Sequence, residues 1–271
     1  MPAFDRAACA ELMEVFTALS AAAALAILRA SGDRAAQLKA DGSPVTAADE
    51  AAEAVIRDGL KRLAPALSVI SEEQVERDTT TAAGTSIILV DPLDGTRDFM
   101  AGRDEYTVNI ALVTDGAPIL GVIAAPALGL IWRGIVGRGA ERMAFAGDGK
   151  TSAPQAIHTR RQPDRGLIVM VSRSHLEART QAYVDRLPEP KLIACGSSVK
   201  FCRLAEGAAD LYPRLAPTHD WDIAAGHAIL EAAGGKIAAP DGGHLVYGTT
   251  ELLVPGFLAW GDATGARPLS A

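Results

Sequence analysis

The chain has 271 residues, a net charge of −7 and a sequence pI near 5.3, and 49% of its residues are hydrophobic. This length fits one large domain or two small ones, with enough apolar residues for a sizeable core. The acidic balance argues against a general nucleic-acid binder or a binder of anionic membranes, because both need a basic surface. It leaves room for a local basic pocket that takes one phosphorylated small molecule.

Cysteine content and the N-terminal sequence indicate the cellular compartment. Cys9, Cys195 and Cys202 include no Cys-x-x-Cys pair, so reduced thiols are expected. Charged residues interrupt the first eleven positions, which is not the pattern of a signal peptide. The longest apolar stretch, 15–28, is too short for a typical transmembrane span. We therefore expect a cytoplasmic protein without an integral membrane segment, and leave peripheral membrane association open.

The first elements in chain order are helical. Residues 5–30 predict a long Ala-rich helix. Thr46 has the character of an N-cap for a second helix that ends near Leu63. A short strand at 68–70 leads to Ser-Glu-Glu, and a polar, Thr-rich loop is expected at 74–85.

The pattern of predicted secondary structure changes near residue 155. A strand at 86–90 is followed by β-rich runs that are separated by the turn residues Asp-Gly, Gly and Pro. This pattern favours an antiparallel meander. Beyond residue 155, strands alternate with helices, as in layered α/β structures. We predict an α/β (α+β) layered fold in two parts, 1–154 with the helices and antiparallel sheet, and 155–271 as an α/β half.

Two carboxylates follow the buried strand at 86–90, in the stretch VDPLDGT. The Pro-Leu bend lets Asp91 and Asp94 face one point, and Gly95 and Thr96 open a short segment whose amides suit a phosphate. Converging carboxylates repel unless a cation lies between them, and hard oxygen ligands without His or Cys suit Mg²⁺. A metal beside a phosphate cradle indicates phosphoryl transfer.

Further acids strengthen this interpretation, although each alone has an ordinary explanation. Glu72 follows a strand, while Asp49 and Asp222 lie in first helical turns, where the helix dipole favours any acid. Other phosphate chemistries lack their residues: there is no Cys-x5-Arg, and the Walker-like 144–151 begins with Ala instead of Gly. Asp91 and Asp94 are three positions apart, not two, so they do not form the Asp-x-Asp pattern of an aspartyl nucleophile. A metal-activated water remains as the attacking group, and 144–151 is expected to be a polar hairpin.

Taken together, these motifs resemble the inositol monophosphatase superfamily, Mg²⁺-dependent and lithium-sensitive phosphatases. The resemblance rests on VDPLDGT with SPVTAAD and SEE before it and WDIAAGHAILEAAGG after it. Further segments, DGSPVTAAD, VSRSH, GSSVKFCRLAEGAADLYPR and PTHDWDIAAGHAI, are similar to the bacterial 3′(2′),5′-bisphosphate nucleotidases of sulfate assimilation. Those remove the 3′-phosphate from 3′-phosphoadenosine 5′-phosphate. The resemblance implies an α-β-α-β-α arrangement with the site between the halves.

The resemblance also implies roles for individual residues around two or three Mg²⁺ ions. The implied metal ligands are Glu72, Asp91, the Leu93 carbonyl, Asp94 and Asp222, with Glu73 supporting from behind. The implied catalytic residues are Asp49, Thr96 and Glu72, the first two orienting or deprotonating the water. The backbone of Gly95 and Thr96 would hold the phosphate, and Asp222 would also face the substrate.

A bisphosphorylated nucleotide needs a second anion site. Ser197 and Lys200 are the candidates, with Arg214 and Arg173 behind them, and Tyr212 is a candidate neighbour of the adenine. Each has a plainer alternative: a solvated helix face, a surface salt bridge or core packing. His219 precedes Trp221 and Asp222, so it could lie near the metals, but we expect a satisfied structural histidine. We expect Cys195 and Cys202 to be inert packing thiols.

The leading hypothesis is a Mg²⁺-dependent 3′(2′),5′-bisphosphate nucleotidase that hydrolyses 3′-phosphoadenosine 5′-phosphate to AMP and phosphate. One alternative is an inositol monophosphatase or a fructose-1,6-bisphosphatase-type sugar phosphatase on the same scaffold. Another is a phosphonucleotide-binding regulator without catalysis. The expected partner is the small-molecule phosphonucleotide, with no nucleic acid, and the meander offers a surface for a homodimer.

Overall fold

The structure is a computed structural model that describes residues 5–39, 42–75, 85–173 and 176–267. Most of the expected Thr-rich loop at 74–85 lies outside the described residues. His175, at the end of the VSRSH segment, lies outside them as well.

Seven α-helices lie within the described ranges, and the first two match the expected ones closely. The helices are α1 (Arg6–Ala30), α2 (Ala47–Leu63), α3 (Glu72–Val75), α4 (Thr96–Met100), α5 (Ala178–Val184), α6 (Val199–Ala205) and α7 (Asp220–Ala232). The predicted N-cap of α2 is confirmed, because Thr46 and Asp49 form a capping box. Side-chain caps of this kind satisfy amide groups that the first helical turn leaves without partners.

The antiparallel meander is confirmed as a sheet of seven strands. A small hairpin, β1 (Ala36–Leu38) and β2 (Pro44–Thr46), precedes it. The sheet comprises β3 (Ser68–Ser71), β4 (Ser86–Asp94), β5 (Thr107–Thr114), β6 (Ala117–Ala125), β7 (Leu130–Ile135), β8 (Gly139–Ala144) and β9 (Gln155–Ile157), paired in that order. The pair β3–β4 is parallel and every later pair is antiparallel. The segment 144–151 forms the expected hairpin, closed by a bridge between Phe145 and Thr151.

A second sheet of five strands forms the later part of the chain. The remaining strands are β10 (Ile168–Ser172), β11 (Lys191–Cys195), β12 (Leu211–Arg214), β13 (Thr218–His219), β14 (Lys236–Ala238), β15 (Leu253–Val254) and β16 (Phe257–Trp260). The order across this sheet is β11-β10-β12-β16-β14, while β13 and β15 pair separately. The division of the chain at residue 154 stays a prediction; β9 of the first sheet begins directly after it.

The two sheets and their helices stack as the expected five layers, α-β-α-β-α. Helices α1 and α2 cover one face of the large sheet, α6 and α7 lie between the sheets, and α5 packs against β12 of the small sheet. Strand β4 shows the alternation that permits this stacking. Ile88 and Val90 point into the core under α1 and α2, whereas Ile87 and Leu89 point into the core shared with α6 and α7.

Helix α7 lies unusually close to the large sheet, and this contact positions the N-terminal turn of the helix. A Cβ added to Gly121 on β6 would lie 2.2 Å from the Ala225 carbonyl oxygen of α7. A Cβ on Gly226 would likewise lie 2.3 Å from the Phe201 ring of α6. Glycine at these two positions therefore lets α7 pack directly on strand β6 and on helix α6.

Among the described residues, α1 is the one helix long and apolar enough, from Ala7 to Ala30, to cross a membrane. It packs against α2 and against β5, β6 and β7. This packing buries Phe16, Ala24 and Ile27 completely. The fold thus accounts for the apolar character of α1 as that of a core helix.

Candidate active site

The predicted acidic residues meet at one edge of the large sheet. Strands β3 and β4 are parallel neighbours, so Glu72 after β3 and Asp91 near the end of β4 lie at the same edge. A bulge between Asp91 and Asp94 turns the strand, and α7 brings Asp222 to the same place from the other half. These side chains line a cleft of about 510 Å³.

Eleven residues were assigned to metal binding, catalysis or substrate binding from the sequence. Ten of them line this cleft: Glu72, Asp91, Leu93, Asp94, Gly95, Thr96, Ser197, Lys200, Arg214 and Asp222. The eleventh, Asp49, is only 2% exposed and lies behind Thr96. Their roles in binding and catalysis stay predictions, but their convergence supports them.

Charge repulsion is the main electrostatic feature of the cluster. Burial raises the pKa of Asp91 well above its ordinary value, and the charges of Glu72, Asp94 and Asp222 raise it further. Burial also raises the pKa of Glu72 to about 7, against the lowering effect of Lys39. A cation among these carboxylates would relieve the repulsion.

The donor set suits Mg²⁺ by its chemistry. The cluster offers carboxylate oxygens and the Leu93 carbonyl, which are the hard ligands that Mg²⁺ prefers. In the described part of the chain, no three Asp, Glu, His or Cys side chains already stand at the spacing of a finished metal site.

Lys39, which sequence reasoning missed, partly balances the acids. Its Nζ lies 3.0 Å from Glu72 Oε1 and 2.7 Å from Glu73 Oε1, and the side chain is 4% exposed. Burial would lower the pKa of Lys39, but the two glutamates outweigh it and the pKa is raised. Its partners come from an element 33 residues away in sequence, so no local pattern could have identified it.

Asp49 holds the Thr96 hydroxyl at the cleft wall. The Thr46 amide and hydroxyl donate to Asp49 Oδ2 at 2.8 and 2.6 Å, which leaves Oδ1 to accept from Thr96 Oγ1 at 3.0 Å. The same hydroxyl lies 3.2 Å from the Leu93 carbonyl oxygen. Burial raises the pKa of Asp49. The arrangement fixes the direction of the Thr96 hydroxyl, which is what orienting a water molecule requires.

Ser198 is a second residue that the sequence analysis did not single out, and it links Asp94 of the first half to Asp222 of the second. Its amide and hydroxyl lie 2.7 Å from Asp94 Oδ2, and its Oγ is 2.7 Å from the Asp222 carbonyl oxygen. Asn109 donates to Ser198 Oγ at 2.9 Å. The predicted neighbour Ser197 has φ of +45°. Two adjacent serines look alike in sequence, and only the backbone direction shows which one faces the carboxylates.

Cationic side chains line the same cleft. Lys200 is 3% exposed, so the alternative of a solvated helix face is wrong; its Nζ donates to the Cys195 carbonyl oxygen at 3.3 Å and lies over the Tyr212 ring. Arg214 donates to the Pro217 carbonyl oxygen at 3.3 Å, and its buried Nε has no partner among the described residues. Arg97, which the sequence did not single out, is exposed and also lines the cleft.

Arg173 fits the salt-bridge alternative, since it is not among the cleft-lining residues of the described chain. Its guanidinium contacts Glu105 closely and Asp98 at 3.4 Å. Glu105 in turn accepts from the Gly196 amide at 3.0 Å. Although burial opposes it, the bond to Arg173 lowers the pKa of Glu105. This network fastens the loop before α6 to the segment after α4.

The structure gives the candidate aromatic residues different surroundings. Tyr212 is 3% exposed and packs edge-on against Phe201 and Phe257, both at centroid distances of 5.1 Å, so its alternative of core packing fits. His219, expected to be a satisfied structural histidine, is the N-cap residue of α7. The residue is exposed, lines the cleft and stacks on Trp221 at 4.5 Å. The sequence signal for a position in the cleft was that His219 lies three residues before Asp222.

Similar proteins are found in several bacteria. The chain is 43% identical over 220 residues to 3′(2′),5′-bisphosphate nucleotidase CysQ of Escherichia coli K12, covering 81% of this chain and 86% of the relative. It is 35% identical over 213 residues to histidinol-phosphatase of Mycobacterium tuberculosis, covering 75% and 77%.

Solved structures share the fold. The crystal structure of CysQ from Bacteroides thetaiotaomicron has a TM-score of 0.74 and 34% identity, covering 91% of this chain and 96% of that one. Inositol monophosphatase from Anabaena has a TM-score of 0.71 at 24% identity, covering 93% and 90%, a likeness of fold alone. The sequence pattern of the Inositol monophosphatase family matches residues 9–266. By its sequence, its layered fold and its acidic cleft, the chain belongs to the inositol monophosphatase family.

Proposed function

We propose that this protein is a Mg²⁺-dependent 3′(2′),5′-bisphosphate nucleotidase, hydrolysing 3′-phosphoadenosine 5′-phosphate to AMP and phosphate. The observation that carries the proposal is the lining of the cleft, where the predicted metal-binding carboxylates share one cavity with the cations Lys200 and Arg214. A substrate with two phosphates needs both. Relatives at 43–44% identity bear the name of this activity, which supports the same assignment.

The metal-binding part rests on family membership and on the donor set. The family is Mg²⁺-dependent in general. Glu72, Asp91, the Leu93 carbonyl, Asp94 and Asp222 would hold two or three ions. When bound, Mg²⁺ acidifies a water molecule and offsets charge on the phosphate and on the leaving oxygen.

The remaining chemistry belongs to the side chains. The Thr96 hydroxyl, fixed by Asp49, would orient the attacking water toward phosphorus. The amides of Gly95 and Thr96 would hold the scissile phosphate, where the φ of +93° at Gly95 lets the backbone approach. Glu72 would take part in activating the water, with Lys39 stabilising its charge.

The second phosphate would bind beside the cationic side chains of the cleft. Ser197, Lys200 and Arg214 are among the residues that line it. The unpartnered Nε of Arg214 is a buried donor without an acceptor among the described residues, and a phosphate oxygen would satisfy it.

We also propose a cytoplasmic location and small-molecule partners, in line with the acidic composition. A homodimer stays a prediction. Helices cover both faces of the seven-stranded sheet, so a dimer built on the meander would use an edge strand such as β3 or β9.

The test is phosphate release with Mg²⁺ over a panel: 3′-phosphoadenosine 5′-phosphate, 3′-AMP, inositol 1-phosphate, fructose 1,6-bisphosphate and histidinol phosphate. We expect the highest kcat/KM for the bisphosphorylated nucleotide, with loss of activity in chelator and recovery on adding Mg²⁺. A higher kcat/KM for 3′-AMP would refute the second phosphate site. Preference for a sugar or inositol ester would favour the sugar-phosphatase alternative, and tight nucleotide binding without turnover would favour the regulator.

A further inference from the structure

Four aromatic rings line the described part of the cleft, and three of them are covered. Phe201, Tyr212 and Trp221 are 1%, 3% and 5% exposed, respectively. Tyr212 has the Lys200 ammonium over its ring and packs edge-on against Phe201 and Phe257. No face of Tyr212 is therefore open to a ligand ring. His219 is the exposed member of the set.

The His219 ring is held in a defined orientation. It lies parallel to the Trp221 indole, with 4.5 Å between centroids and 6° between planes. The backbone is fixed on both sides: His219 pairs with Leu253 across β13 and β15, and its amide donates to Asp222 Oδ2 at 3.2 Å. One ring face is covered by indole, and the exposed imidazole presents its other face beside the cleft. A rigid ring of this kind loses little entropy when a ligand stacks on it.

Its position suits the base of a nucleotide. His219 is the N-cap residue of α7, one helical turn before Asp222, and both line the cleft, so a ring stacked on His219 would lie beside the carboxylate cluster. The cleft of about 510 Å³ lies within the range of ligand pockets that hold a whole small molecule. Bases stack readily on aromatic side chains, including histidine.

We propose that His219, backed by Trp221, is the platform on which the nucleobase of the substrate stacks. The inference rests on the proposed nucleotidase function and adds the base-binding part of that site. It assigns to His219 the role that the sequence had suggested for Tyr212. Because stacking needs no hydrogen-bond readout, the platform would accept any nucleobase and favour large purines.

The test compares His219→Ala with His219→Phe, using the exposed His158→Ala, away from the cleft lining, as the matched control. His219→Ala should lower kcat/KM for the bisphosphorylated nucleotide by about fivefold to 150-fold, the value of one stacked base. His219→Phe should retain most of the activity. Turnover of a base-free ester, glycerol 2-phosphate, should stay within about twofold for all three variants.

A binding measurement separates this proposal from the proposed reaction. Calorimetry with AMP and with ribose 5-phosphate needs no turnover: His219→Ala should weaken AMP binding and leave ribose 5-phosphate binding unchanged. If wild type binds AMP no more tightly than ribose 5-phosphate, the platform is refuted, whatever the enzyme hydrolyses. Equal losses for nucleotide and base-free ester would also overturn it, because His219 would then act on the phosphate or the metals.

Discussion

The Ser198 hydroxyl connects the Asp94 carboxylate to the backbone of Asp222, which comes from a distant part of the chain. It lies 2.7 Å from both Asp94 Oδ2 and the Asp222 carbonyl oxygen, and Asn109 donates to it. A hydroxyl has one proton, so it can donate to only one of these acceptors at a time. The residue is 1% exposed, so we assign it a positioning role rather than contact with substrate.

Replacing Ser198 with Ala should weaken Mg²⁺ binding by about 10-fold to 100-fold, the usual effect of losing a group that orients a ligand. The backbone amide bond to Asp94 remains in this variant, so the fold should persist. Ser198→Thr, which keeps the hydroxyl, is the matched control and should recover most of the affinity. Direct titration with Mn²⁺ by EPR measures the effect without turnover; equal affinities for Ala, Thr and wild type would contradict the role.

At the scale of elements, the position of Asp222 depends on how α7 lies on the sheet. Gly121 of β6 leaves no room for a Cβ, since Ala225 of α7 occupies that space. Ala225 is one turn beyond Asp222 on the same helix. A shift of α7 away from β6 would therefore move Asp222 relative to Asp91 and Asp94.

Gly121→Ala should destabilise the protein by about 1–3 kcal/mol, because the clash is with backbone and overpacking of a core costs this much. The melting temperature should fall by about 2–4 °C for each kcal/mol. Gly147→Ala is the matched control, since a Cβ there meets nothing within 4 Å. Calorimetric melting of both variants decides the point, and indistinguishable melting temperatures would show that α7 does not need this close contact.

Elements with a local signal were predictable from sequence. The capping box at Thr46 and Asp49 marked the start of α2, and turn residues marked the meander. Strand β4 was expected to end at Val90 but runs to Asp94. Pro92 indicated a stop, yet the strand resumes pairing with β5 after a bulge, and the pairing partner is not visible in a local sequence window.

For the whole molecule, the cleft was predictable where a contiguous motif carries it. Asp91 to Thr96 form one such motif, and the resemblance to a family assigned metal-binding roles to Glu72 and Asp222. Lys39 and Ser198 were missed because their contacts join segments that only the tertiary fold brings together. Arg173 was a candidate near the substrate with a surface salt bridge as its alternative, and the fold pairs it with Glu105 and Asp98, as that alternative expects.

The central claim is that the carboxylate cluster between the two halves drives Mg²⁺-dependent hydrolysis of the 3′-phosphate. The most direct measurement is phosphate release from 3′-phosphoadenosine 5′-phosphate by wild type and by Asp94→Asn, each checked for folding by circular dichroism. Wild type should release phosphate only with Mg²⁺. Asp94→Asn should stay folded and lose more than about a hundredfold in turnover, beyond what loss of a merely supporting group costs. Wild-type-like turnover by folded Asp94→Asn protein would contradict the account.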